Sequence, residues 1–493
     1  MRRAAANTHG AAAVNRHVTD HAGGREPTAA VVHVKIDVEA QAIMNAPVNT
    51  SGASVSIEID DVQSGALRPR PVPYEGKYIL LRVDDRHAGR ALLRRLLPVV
   101  SGGLPDADRQ QDAWVAVALT YQGLKALGVP QESLDSFPQA FREGMAARAE
   151  LIGDVGESAP PHWEAPFGTG DVHIALSALS SDTGQLDKEL ERARAAYEDT
   201  PGVQVIWQQD VHQLPTGRTT FGFRDGISHP NIEGVGLPGS NPQETPIKAG
   251  EFILGYPDET GNLPPMPSPD VLGRNGTYAA VRKVHTNVAA WRRFLRANSS
   301  GAEEEALLAA KMIGRWPSGA PLTLTPEHDD PELAADPHRV NNFLYRENDD
   351  RGYRCPAGAH IRRTNPRDAT IVGDARMHRL IRRGTTYGPP LPEGVLEDDG
   401  ADRGLVGVFL GAHLERQFEF IKAQWVNDGN FIGYPGEQDP VAGHHGGTGS
   451  VTIPEKPIRR RLQNLPSFVV TRGGEYCFLP GLRALRWLAE LED

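Results

Sequence analysis

Cysteine is almost missing from these 493 residues: Cys355 and Cys477 are the only two. Two thiols cannot build a disulfide framework, and cysteine alone cannot supply a four-ligand zinc site. A reducing, cytoplasmic setting fits this usage. Also missing is any run of about 18 apolar residues, so no membrane-spanning helix is expected. Arg2-Arg3 could open a twin-arginine leader, but Asn7, Thr8, His9, Asn15 and Arg16 interrupt the apolar region that such a leader needs. Positive charge is short as well. Lys and Arg number 52 against 63 Asp and Glu, a net charge of −11, which argues against a nucleic-acid partner. Arg459-Arg460-Arg461 therefore needs another reading.

What is abundant is Gly (52) and Pro (39), in a chain long enough for two packed halves. The fold should be rich in loops. Residues 1–60 carry no periodic core pattern and read as a flexible N-terminal extension. From Asp61 onward a strand-then-helix phrase recurs. Tyr78–Val83 alternates and is followed by helical spacing over Ala88–Leu97; Ala113–Leu119 precedes Gly123–Leu127; Val172–Leu176 precedes Gly184–Tyr197. Further on, Thr277–Val284 precedes Val288–Ala297, and Val406–Leu410 precedes Arg416–Trp425. A doubly wound parallel sheet would place a phosphate-binding glycine turn after its first strand, and none is present. The pattern instead predicts an α+β fold: a split β-α-β unit with antiparallel sheet occurring twice, over 61–220 and 221–493. Long Gly/Pro stretches at 257–276, 387–402 and 433–449 suit loops that cover a ligand.

Three segments carry chemistry. The first is Phe221-Gly222-Phe223-Arg224-Asp225-Gly226, where two glycines bracket an aromatic, a cation and a carboxylate. Glycine lets backbone approach a flat ligand, although taken alone Asp-Gly is a common turn. The second is Cys355-Pro-Ala-Gly-Ala-His360-Ile-Arg362-Arg363-Thr-Asn-Pro-Arg367. A single imidazole among small residues can serve as an axial haem ligand, and adjacent arginines can pair with propionates; the same residues could also end a surface helix. The third runs from Arg376 through Arg382-Arg383-Gly384 to Pro389. An arginine beside a carboxylate can offset the negative charge that grows as an O–O bond breaks, and by itself the segment also reads as a basic helix face.

Together these segments resemble the dye-decolourising (DyP-type) peroxidases, which carry a GxxDG motif, a downstream proximal histidine and then a distal arginine in that order. Asp225, His360 and Arg382 keep that order here, and Asp61-Val-Gln-Ser-Gly-Ala-Leu, Gly250–Tyr256, Lys311–Pro317 and Gln417–Phe431 are further family-like phrases. The resemblance covers about 61–485 and looks like the larger bacterial members. It implies two ferredoxin-like halves with b-type haem between them, and an enzyme that reduces hydrogen peroxide and oxidises dyes, phenols or other small aromatics by one-electron steps. It also implies His360 as the iron ligand, Asp225 and Arg382 as catalytic residues, and Gly222, Phe223, Arg224, Gly226, Arg363 and Arg383 as haem contacts. An anionic partner on the other His360 nitrogen would favour peroxidase behaviour, with Asp428 the candidate. Electrons for bulky substrates could pass through Trp291, Trp316, Trp425, Trp487, Tyr387 or Tyr476.

Three other readings compete. Cys355 could offer a thiolate to haem, and His444-His445 could hold a mononuclear metal, though adjacent histidines in a glycine loop aim poorly at one ion. A non-enzymatic haem-binding or iron-release protein would share the ligand yet have no need of a paired Asp and Arg. A homo-oligomer is compatible with the sequence.

Overall fold

The computed structural model describes residues 56–103, 113–237, 239–369 and 374–492. Most of the expected extension, 1–60, lies outside them; Ile57 is already buried and Glu58 pairs with Arg274 and Arg483. Among the described residues ten strands follow in chain order: β1 Glu75–Val83, β2 Ala113–Leu119, β3 Ile174–Ser180, β4 Val203–His212, β5 Thr277–Thr286, β6 Ile381–Tyr387, β7 Gly404–Gly411, β8 Gly449–Ile453, β9 Arg460–Leu465 and β10 Val469–Leu479. Eight of them form one sheet in the order β4-β1-β3-β2-β10-β5-β7-β6, antiparallel throughout, and β8 with β9 makes a separate hairpin.

The duplication is visible in that order. Strands β1 to β4 lie as fourth-first-third-second, and β5, β6, β7 and β10, taken as a second set of four, repeat the same arrangement. That is the ferredoxin-like pattern, used twice. The sets join where Leu119 of β2 meets Phe478 of β10. At the far edges β4 comes against β6, with Thr386 Oγ1 donating to the His212 carbonyl, so neither edge is left as a bare template.

Burial explains why these segments became strands and helices. Every residue of β2, AWVAVAL, is buried, as expected for a strand covered on both faces. Helix Arg86–Leu96 starts where Asp85 caps the Ala88 amide and packs Leu92, Leu93 and Leu96 inward. Asp182 and Asn287 cap helices Thr183–Glu198 and Val288–Ala297 in the same way.

Two segments differ from their sequence pattern. Residues 381–387, whose composition alone suggests a basic helix face, form strand β6, because its two arginines point to opposite faces of a sheet that is lined by cavities on both sides. Residues 415–426 are helical as expected but wound wider, with Glu419 N–H reaching Leu414 O and Asn427 N–H reaching Lys422 O. Such π-turns are concentrated at functional sites. No described helix is long and apolar enough to cross a membrane.

Candidate active site

A cavity of about 370 Å³ lies chiefly against the second repeat, with Gly153, Asp154 and Ser158 of the first closing one side. Its walls come from the loop after β4, from β5, β6, β7 and β10, from the turn that starts at His360, and from the π-wound segment. Ile313, Leu405, Val408, Phe409, Ile421 and Val426 make it apolar over much of its area.

His360 opens the short helix His360–Thr364 and faces this cavity, its side chain 28 % exposed. Its Nδ1 lies 2.9 Å from Oδ2 of Asp439, a residue with no exposed surface. An ionised carboxylate only accepts, so Nδ1 carries the proton and the Nε2 lone pair is left for an electrophile in the cavity. Oδ1 of Asp439 accepts from the Val441 and Ala442 amides. Burial pushes the Asp439 carboxyl up, but His360, Arg363 and the Ala442 amide outweigh it and hold the group down at about 2. The imidazole is thus backed by a fixed negative charge.

The expected partner, Asp428, does not play this part. Its carbonyl takes Nη2 of Arg363 and its carboxylate caps the Asn430 amide. Asp439 wins because the Asp439 amide bonds Val426 O and His445 Nε2 bonds Asp439 O at 2.8 Å, which folds the 433–449 loop back beneath the histidine. Arg363 is also redirected: fully buried, it gives Nε, Nη1 and Nη2 to the carbonyls of Trp425, Glu437 and Asp428 and does not line the cavity. Its role is to tie the His360 helix to the Asp439 loop. Arg367, four residues on, does reach the cavity and gives only Nη1 to the carbonyls of Asn341 and Phe343. Arg315, Arg379 and Arg224 also line the cavity, making its lining strongly cationic against two carboxylates, Asp154 and Asp225.

Asp225 also lines the cavity, half-buried, next to β6. A side-chain carbon placed on Gly384 would stand 3.1 Å from Asp225 Oδ2, so the missing side chain is what admits the carboxylate. Burial raises the acid, and Arg382, Arg70 and the Gly226 amide more than reverse this, leaving Asp225 below the ordinary carboxylate range. Arg70 gives Nη1 to the Gly384 carbonyl at 2.8 Å and packs on Gly226, which turns at φ +77°. Arg382 is exposed in the cavity, 3.4 Å from the Ser228 carbonyl. His229, close by, is pushed down to about 3 by burial and by Arg383, Arg382 and Arg70, and so is neutral. Phe223 and Arg224 line the cavity; Gly222 and Gly226 shape the turn without lining it; Arg383 lies between this cavity and a second one inside the barrel.

Cys355 is buried outside the cavity lining and its thiol is pushed up to about 12 by burial, which removes the thiolate reading. His444 lines the cavity while His445 is buried on the Asp439 carbonyl, so the adjacent pair does not converge. Of the aromatic pool, Trp291, Trp316, Trp425, Tyr387 and Tyr476 are buried and only Trp487 is half-exposed.

Comparison with known proteins bears on this arrangement. The chain is 32% identical over 393 residues to a dye-decolorizing peroxidase of Exidia glandulosa, covering 75% of this chain and 74% of that one. It belongs to the DyP-type peroxidase family. Peroxidase 2 of Mycetinis scorodonius is 31% identical with 89% of each chain aligned. Residues 104–211 match the family model for the DyP dimeric alpha+beta barrel domain. A solved dye-decolorizing peroxidase in complex with 2,6-dimethoxyphenol superposes with a TM-score of 0.77 at 27% identity, over 88% of this chain and all of the other. Membership makes this chain a haem-dependent peroxidase, in preference to a haem carrier without peroxidase activity. Sequence reasoning missed Asp439, Arg367, Arg315 and Arg70 as members of the site. Arg367 stood within the histidine segment; Asp439 and Arg70 carry no local signal, since only folding brings them near.

Proposed function

We propose that His360 would hold the iron of b-type haem through Nε2, with Asp439 fixing its tautomer, and that Asp225 and Arg382, which line the same cavity, would handle peroxide. The single observation that carries this is the His360–Asp439 contact of 2.9 Å beneath a cavity that also holds Asp225 and Arg382. The residues present fit the group: an imidazole donor backed by a buried carboxylate, apolar walls, and arginines that suit two propionates. Arg367 and Arg315 take the propionate role that the sequence assigned to Arg363. When bound, the haem supplies the oxidising centre that peroxide charges and a second substrate discharges one electron at a time.

Asp225, held in its ionised form at neutral pH, would take a proton from one oxygen of hydrogen peroxide and return it to the other. Arg382 offsets the charge that gathers on that second oxygen, and Arg70 keeps Asp225 in its accepting form. The reducing substrate is a small aromatic, a phenol or dye; the solved relative carrying 2,6-dimethoxyphenol supports this. We place the boundary between two ferredoxin-like parts at 220/221, a reading supported by the first strand set ending at His212 and the second beginning at Thr277. Both thiols are free and buried, which suits a reducing, cytoplasmic compartment.

The test is to purify the protein with haem supplied, record its visible spectrum before and after one equivalent of hydrogen peroxide, and follow oxidation of 2,6-dimethoxyphenol. Stoichiometric haem, a spectral change and catalytic turnover are expected. Haem uptake without peroxide-driven turnover would refute the assignment.

A further inference from the structure

Inside the barrel, apart from the active-site cavity, lies a second hollow of about 40 Å³. Its wall is mostly apolar, drawn from both strand sets, and includes Tyr78, Trp114, Lys283 and Arg383. The two cations in it are treated differently. Lys283 gives Nζ to Glu164 at 2.6 Å and Asp402 at 3.0 Å. Arg383, only 3 % exposed, bonds the carbonyls of Arg382 and Ala66, and its Nε has no partner among the described residues. Burial pushes it down to about 9, with Arg70 and Arg382, of its own sign, adding to the effect and Tyr78 opposing it.

Other donors in this wall are also unmet. Trp114 Nε1 is buried with no partner among the described residues, and the indole N–H can only donate. Tyr78 has only a long 3.4 Å contact with Thr385 Oγ1, whose single proton is also directed at the Val406 carbonyl at 3.1 Å, so its hydroxyl can turn to a guest. A buried cation without a counter-charge is costly, and a hollow of this size exceeds the roughly 10–15 Å³ that one water needs. A water would bring two protons of its own into a wall of donors, whereas a halide only accepts.

We propose that the barrel interior is a binding site for a small monovalent anion of the halide class, held by Arg383 Nε, Trp114 Nε1 and the Tyr78 hydroxyl. The ion supplies the negative charge that Arg383 lacks and stands behind β6, whose other face carries Arg382 toward Asp225. The site shares Arg383 and Val408 with the lining of the haem cavity but does not depend on the catalytic roles assigned there.

Crystals of the haem-loaded protein soaked in sodium bromide give the direct test. An anomalous peak within hydrogen-bond distance of Arg383 is expected, and a map with water alone in the hollow would overturn the proposal. In solution, the haem-loaded protein in halide-free buffer should show a saturable rise of Tm on adding bromide, absent with equal ionic strength of sulfate. The rise should vanish in Arg383→Met and weaken in Trp114→Phe. Arg383→Met should fold at least as well as the parent without halide, since it removes an unpaired buried charge. A bromide response as large as the parent's in both variants would also refute the site.

Discussion

Replacing Asp439 by Asn changes one atom and probes the proximal side without altering its volume. In the parent, Oδ2 faces His360 Nδ1 at 2.9 Å while Oδ1 takes the Val441 and Ala442 amides at 2.9 Å each. Asn has one acceptor and one donor end, so it cannot satisfy both sides. If its oxygen faces the imidazole, its NH2 opposes two amide donors, at a cost of about 1–3 kcal/mol for each unmet group. If it turns round, the NH2 forces Nδ1 to accept, which moves the ring proton to Nε2 and blocks the ligand position. Either outcome weakens the histidine as a donor, and loss of a partner of this kind costs roughly 10- to 100-fold in affinity or activity. Haem titration of the apoprotein followed by absorbance should show that fall, and potentiometry of the haem-loaded variant should show a higher reduction potential because the anion is gone. Unchanged haem affinity together with an unchanged potential would refute the idea that Asp439 tunes His360.

Arg70→Met removes a cation that depresses Asp225, so the acid limb of the pH–rate profile for peroxide consumption should move to higher pH; a fixed limb would clear Arg70 of this role. Gly384→Ala sets a methyl 3.1 Å from Asp225 Oδ2 and should slow peroxide turnover while haem content, read from the spectrum, stays normal. Arg363→Ala leaves three buried carbonyls unmet, and chemical denaturation should show a loss of about 3–5 kcal/mol with haem affinity falling alongside. Asp439, held at about 2, contributes stability that is complete above the ordinary carboxylate range and lost as pH falls toward 2; acid unfolding of Asp439→Asn should lack that transition component.

The strands and helices with regular apolar spacing were legible because each buries one continuous face: Ala113–Leu119 and Val288–Ala297 emerge with the bounds that their pattern implies. Strand β6 was not, since Arg382-Arg383-Gly384-Thr385-Thr386 holds polar side chains on both faces, each answered by a cavity or a barrel-interior partner that local sequence does not reveal. In the site, Asp225 and His360 stood out through their neighbouring glycines and small residues. Asp439 sits 79 positions from His360 in a Gly/Pro loop whose path is set by backbone bonds to Val426 and His445, and nothing in its own neighbours marks it. Arg363 misled for a similar reason: next to the histidine in sequence, its side chain points away into carbonyls, while Arg367 comes round to the cavity through a left-handed turn at φ +52°.

The central claim is that the imidazole of residue 360 holds haem iron. His360→Ala, titrated with haem and followed by absorbance with and without added imidazole, should bind haem weakly and regain a histidine-like spectrum only when imidazole is supplied. Tight stoichiometric binding with the parent spectrum in the absence of imidazole would contradict the account.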